Sequence, residues 1–154
     1  MIQEPQLDKL YQEVILDHNR RPRNFQTLPG ATQYSHGFNP LCGDDYHLYL
    51  EVDPQGTIQN VGFQGNGCAI SKSSASIMTT MIKGKNLAEA EKLKDDFLAM
   101  MTQEDCPQAR KSEVGRLVIF EGVKEFPVRV KCATLIWHAL VDALQDTDSG
   151  RGEI

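Results

Sequence analysis

Strand-type and helix-type patterning occupy separate stretches of this chain, and that segregation limits its folds more than any other feature. Tyr46 to Val52 alternates, with Tyr46, Leu48, Leu50 and Val52 on one face and His47, Tyr49 and Glu51 on the other. That is the period of a strand buried on one side. Asp53-Pro-Gln-Gly56 supplies turn residues, after which Ile58 to Gln64 can return antiparallel. Ala31 to Gly37, following the Leu28-Pro-Gly30 turn, reads as a third strand of weak propensity, suited to an edge.

The remaining segments read as helices. Leu7 to His18 carries Leu7, Leu10, Tyr11, Val14 and Ile15 at the spacing of one buried face, and Pro22 follows as a stop. After the strands come Ala69 to Lys83, rich in small residues and stopped at Gly84, and then Asn86 to about Met101. A loop at Glu104-Asp-Cys-Pro107 and a short helix over Glu113 to Val123 precede the last helix. Pro127 opens that helix at the first-turn position proline prefers. The order predicts an α+β fold: an N-terminal helix, a three-stranded antiparallel sheet, then several helices packed on one face. No strand–helix alternation of the dinucleotide-binding kind is present.

With 154 residues, the expectation is one domain over 1–154 with a polar tail after about Asp146. No apolar run approaches the ~20 residues that cross a bilayer. The start, Met1-Ile-Gln-Glu-Pro, lacks the basic and apolar regions of a signal peptide. A cytoplasmic protein with reduced thiols is therefore expected. The net charge of −5 argues against nucleic acid as a partner. The one basic cluster, His18-Asn-Arg-Arg-Pro-Arg23, reads as a solvated helix end or as a contact for an acidic protein surface.

In that setting four cysteines point to metal binding or thiol chemistry rather than to disulfides. Cys42 and Cys68 lie in glycine-containing junctions, Asn39-Pro-Leu-Cys-Gly-Asp44 and Gly65-Asn-Gly-Cys68, where a sulfur can stay uncovered. Cys132 follows Arg129 and Lys131 near the start of the last helix. The helix dipole and these cations are expected to lower its pKa from the free value of about 8.5. Asp44, two residues beyond Cys42, shares its face in a strand, whereas Asp45 points away. Three sulfurs and one carboxylate suit tetrahedral Zn²⁺, and the oxygen is the more exchangeable arm. Iron–sulfur clusters are also held by thiolates, so ligand chemistry alone does not choose between them. Cys106, beside Glu104 and Asp105, is left outside the site because those charges would raise its pKa. His18, His36, His47 and His138 are singled out by no spacing; His47 is expected to face outward.

The segments Asn39-Pro-Leu-Cys-Gly-Asp44, Gly67-Cys-Ala-Ile-Ser-Lys-Ser-Ser-Ala-Ser76 and Val130-Lys-Cys-Ala-Thr-Leu-Ile-Trp137 resemble the U-type iron–sulfur assembly family, the IscU/NifU N-terminal-like proteins. The resemblance runs over nearly the whole chain. Within that family the chain looks more like the SufU branch than the IscU scaffolds. Lys131 stands where scaffold members carry a histidine before the last cysteine, and their Leu-Pro-Pro-Val-Lys chaperone motif is absent. The stretch Glu113 to Phe126 resembles the insertion typical of SufU proteins. The resemblance implies Cys42, Asp44, Cys68 and Cys132 as zinc ligands, with Cys42 also receiving persulfide sulfur from a SufS-type cysteine desulfurase. Downstream iron–sulfur assembly proteins would then take the product. The other reading it leaves open is a scaffold that builds a transient [2Fe–2S] cluster on the same residues.

Overall fold

The structure, a computed structural model, describes residues 5–146, the side chains of 5–8, 10 and 109 apart. The tail expected after Asp146, the first four residues and the inward aim assigned to Leu7 and Leu10 lie outside it. Helix α1 runs over Pro5–Arg20. Strands β1 (Gln33–Asn39), β2 (Asp44–Val52) and β3 (Ile58–Asn66) follow. Next come α2 (Ala69–Ile82), α3 (Leu87–Thr102) and a four-residue α4 (Gln108–Lys111). A 3₁₀ stretch, Ser112–Val123, leads to α5 (Pro127–Gln145). The fold is the α+β arrangement expected.

The three strands form one antiparallel sheet in the order β1-β2-β3. The alternation of β2 decides which face is covered. Tyr46, Leu48 and Leu50 are fully buried, and with Val61 and Phe63 of β3 they belong to the common core. Helix α5 lies along β1 and β2, and α2 packs between α1 and α5. Trp137 of α5 stacks on Phe97 of α3 with ring centroids 4.8 Å apart, and its indole N–H donates to Ser74 Oγ of α2 at 3.1 Å. Among the described residues no helix is long and apolar enough to cross a membrane.

Three details differ from expectation. Strand β2 begins at Asp44 rather than Tyr46, because Asn39 and Asp44 close the β1–β2 hairpin as partners. Gly43 makes that turn possible: its φ of 80° lies in the left-handed region that side chains disfavour. Gln108–Lys111 is a helical turn that sequence patterning missed. The Glu113–Val123 helix is instead 3₁₀ over Ser112–Val123 and is broken at Gly115, φ 58°.

Candidate metal centre

Four segments meet at the end of the sheet where the β1–β2 hairpin turns. The hairpin loop carries Cys42, and the first residue of β2 is Asp44. The junction between β3 and α2 carries Cys68, and the second turn of α5 carries Cys132. The fold therefore brings together residues that no local loop could. The thiol of Cys42 donates to Asp44 Oδ2 at 3.1 Å, and its sulfur lies 3.5 Å from that of Cys132. One ligand atom from each of Cys42, Asp44 and Cys132 lies within 4.8 Å of the other two.

Cys68 stands beside this trio and is tied to it through the backbone. Its N–H donates to Asp44 Oδ1 at 3.1 Å, while its sulfur caps α2 by accepting the Ser71 N–H at 3.4 Å. A side-chain acceptor at this position satisfies one of the orphan donors of a helix start. Ser71 Oγ donates to Cys68 O at 3.1 Å, so the buried Tyr46 hydroxyl is the donor in its own 3.0 Å contact with Ser71. Burial holds the Tyr46 phenol well above its usual range and so keeps that hydrogen in place. Gly67 seals the arrangement from above. A Cβ there would stand 2.5 Å from Tyr46 Oη and 2.7 Å from Asp44 Oδ1, and closer still to Ser71 Oγ.

The burial of these groups corrects one expectation. Cys42 and Cys68 are exposed, but Cys132 is only 4% exposed and Asp44 1%. Cys132 was expected to carry a lowered pKa, yet it sits a turn deeper than the helix start. Burial drives its thiol well above the ordinary value, and the neighbouring Cys42, Asp44 and Cys68 push it the same way. Arg129 gives no compensation, because its guanidinium lies over the Phe126 ring at 5.0 Å. Lys131 points to solvent. Thiols and a carboxylate gathered this tightly repel one another as anions, and a dication is what relieves that repulsion. Sulfur and carboxylate donors at this number suit Zn²⁺.

The other groups fall elsewhere. Asp45 points to the opposite side of β2, as expected, and bonds His36 at 2.5 Å. Cys106 is buried against the core, away from the trio. His18, which sequence spacing did not mark, is buried; its Nδ1 pairs with Ser76 Oγ at 2.7 Å. Its position in the three-and-four pattern of α1, next to Ile15, was the available signal. In the basic cluster, Arg21 and Arg23 both bond Asp17 at 2.8 Å, which neutralises part of the positive patch.

A small sheet capped by helices brings thiols and a carboxylate together at the hairpin end, a donor set that could hold a metal ion. The chain belongs to the NifU-like N-terminal domain family, whose model matches residues 10–133. It is 37% identical over 144 residues to the zinc-dependent sulfurtransferase SufU of Bacillus subtilis, covering 94% of this chain and 95% of that protein. It is 39% identical over 141 residues to the iron–sulfur cluster assembly scaffold protein IscU of Streptococcus pyogenes, covering 90% and 85%. Among solved structures, a SufU scaffold protein from Fervidobacterium islandicum superposes with a TM-score of 0.80 at 33% identity, covering 89% of this chain and 98% of that one.

Proposed function

We propose that this protein serves iron–sulfur cluster assembly as a zinc-binding sulfur acceptor, with Cys42, Asp44, Cys68 and Cys132 as the metal ligands. The observation that carries the reading is the position of Cys42. Cys42 is an exposed residue of the hairpin loop, yet its sulfur lies 3.1 Å from a buried carboxylate and 3.5 Å from a buried thiol. A group so placed can belong to the centre and still be reached by another protein. Zn²⁺, when bound, would keep the thiols deprotonated at neutral pH. The kinship with a zinc-dependent sulfurtransferase supports the same choice.

The donor is the persulfide of a cysteine desulfurase of the SufS type. The Cys42 thiolate attacks the outer sulfur of that persulfide. A new bond forms from Cys42 Sγ, the donor's sulfur–sulfur bond breaks, and its electron pair leaves on the donor cysteine as a thiolate. Cys42 then carries the persulfide, and no outside oxidant or reductant is consumed. Asp44 Oδ2 accepts the hydrogen bond of the free Cys42 thiol, and Asp44 Oδ1 anchors the Cys68 backbone. Leu41, 72% exposed, adjoins Cys42, and the exposed Phe126 and Val128 lie at the start of α5. Such apolar groups beside a reactive thiol suit a docking partner.

A single-turnover transfer of labelled sulfur from the persulfidic desulfurase tests the reading. Cys42→Ser is expected to drop label on this protein to background; normal labelling of that variant would refute it. The second reading, a scaffold carrying a transient [2Fe–2S] cluster as cargo, is favoured by the kinship with the Streptococcus IscU. Metal analysis separates the two. Stoichiometric zinc with stimulated desulfurase turnover supports the acceptor, and bound iron and sulfide without stimulation supports the scaffold.

A further inference from the structure

The face of the sheet turned away from α5 carries a second group of ligand side chains. His36 of β1 and His47 of β2 are direct cross-strand partners, and their rings stack with centroids 4.4 Å apart. Asp45 precedes His47 by two residues and so shares its face. Its Oδ1 lies 2.5 Å from His36 Nε2. One ligand atom from each of the three lies within 4.8 Å of the other two. Tyr34, next but one to His36 on β1, brings its hydroxyl to 2.5 Å from His47 Nδ1.

We infer that His36, Asp45 and His47 form a second metal site, separate from the thiols, that takes a first-row divalent ion such as Zn²⁺. Two imidazoles and one carboxylate are a donor set zinc accepts, with water completing the coordination. Cross-strand pairing supplies the two histidines at fixed spacing, so little ordering is left for the ion to impose. The Tyr34 contact does what an outer partner does for a ligating histidine: with Nδ1–H donating to the phenol oxygen, Nε2 keeps its lone pair for the ion. His36 and Asp45 are 44% and 45% exposed, which leaves coordination positions open to solvent. On metal binding the His36–Asp45 hydrogen bond is exchanged for a shared ion. Because Asp44 and Asp45 are consecutive on β2, the two sites lie on opposite faces of one strand.

Zn²⁺ titration of the full, reduced chain by calorimetry and chelator competition tests this, read as a difference between proteins so that uptake by the thiols cancels. Wild type is expected to bind one more ion per chain than His36→Ala or His47→Ala. In wild type the His36 and His47 imidazole resonances should shift with that ion, while those of exposed His138 stay fixed. Tyr34→Phe should retain the ion but weaken it about 10–100-fold. Equal stoichiometry in wild type and both histidine variants, or imidazole resonances that do not move, would overturn the proposal.

Discussion

Replacing Gly67 by alanine adds one methyl group at the point where the centre is most crowded. The added carbon would sit 2.5 Å from Tyr46 Oη and 2.7 Å from Asp44 Oδ1, and would press still harder on Ser71 Oγ. Carbon and oxygen do not approach below about 3.0 Å without displacement, so part of this cluster must shift. Tyr46 is fully buried and has nowhere to go. Any shift of Asp44 carries with it the acceptor of the Cys68 N–H. Overpacking of this kind costs roughly 1–3 kcal/mol. At this chain length that is a fall of about 3–9 °C in Tm. Zinc affinity should fall further, by about 10–100-fold, because the methyl displaces groups that orient the ligands. Thermal unfolding of the metal-free protein and zinc competition against a chromophoric chelator measure the two effects separately. A Gly67→Ala protein with unchanged Tm and unchanged zinc affinity would show that Asp44, Ser71 and Tyr46 are not packed as described.

Two further outcomes follow from the same geometry. Asp44→Asn keeps an oxygen for the Cys68 N–H but removes the charge, so stability should shift by less than about 1 kcal/mol while zinc affinity drops at least tenfold; equal affinity by chelator competition would remove Asp44 from the ligand set. Burial, assisted by Arg23, lowers the His18 pKa below the 6.5 of an unfolded chain. The unfolded state then binds the proton first, so stability is full above pH 6.5 and is lost as pH falls through the folded value. His18→Gln should flatten that part of the stability–pH curve in denaturant titrations, and an unchanged slope would exclude His18 as its source.

The fold was legible because burial on one face writes itself into a sequence as a period. Tyr46, Leu48 and Leu50 announced β2, and Pro127 announced the start of α5. The helix that carries Cys132 was also found, but not its depth. Chemical neighbours in sequence, Arg129 and Lys131, suggested a stabilised thiolate. Tertiary packing against the hairpin instead buries that thiol and turns both cations elsewhere. The exposure of Cys42 and Cys68 was readable because glycine-flanked cysteines make poor core positions. The register of the β1–β2 hairpin was not: no local pattern states that His36 falls opposite His47, or that Asp44 rather than Tyr46 opens β2. Those facts come from hairpin closure between residues several positions apart.

The buried hydroxyls of α2 have a mechanical consequence. Ser71 meets Tyr46 of the sheet, Ser74 meets both Trp137 and the Ala133 carbonyl of α5, and Ser76 meets His18 of α1 and the Arg23 N–H. Each contact keys the helix to a different neighbour at a different angle, like wards on a lock. A slip of one residue turns the helix by about 100° and would break the contacts of all three serines together. The aim of Cys68 at the head of α2 is thus fixed by side chains up to eight positions away. It has one allowed setting and no gradual adjustment.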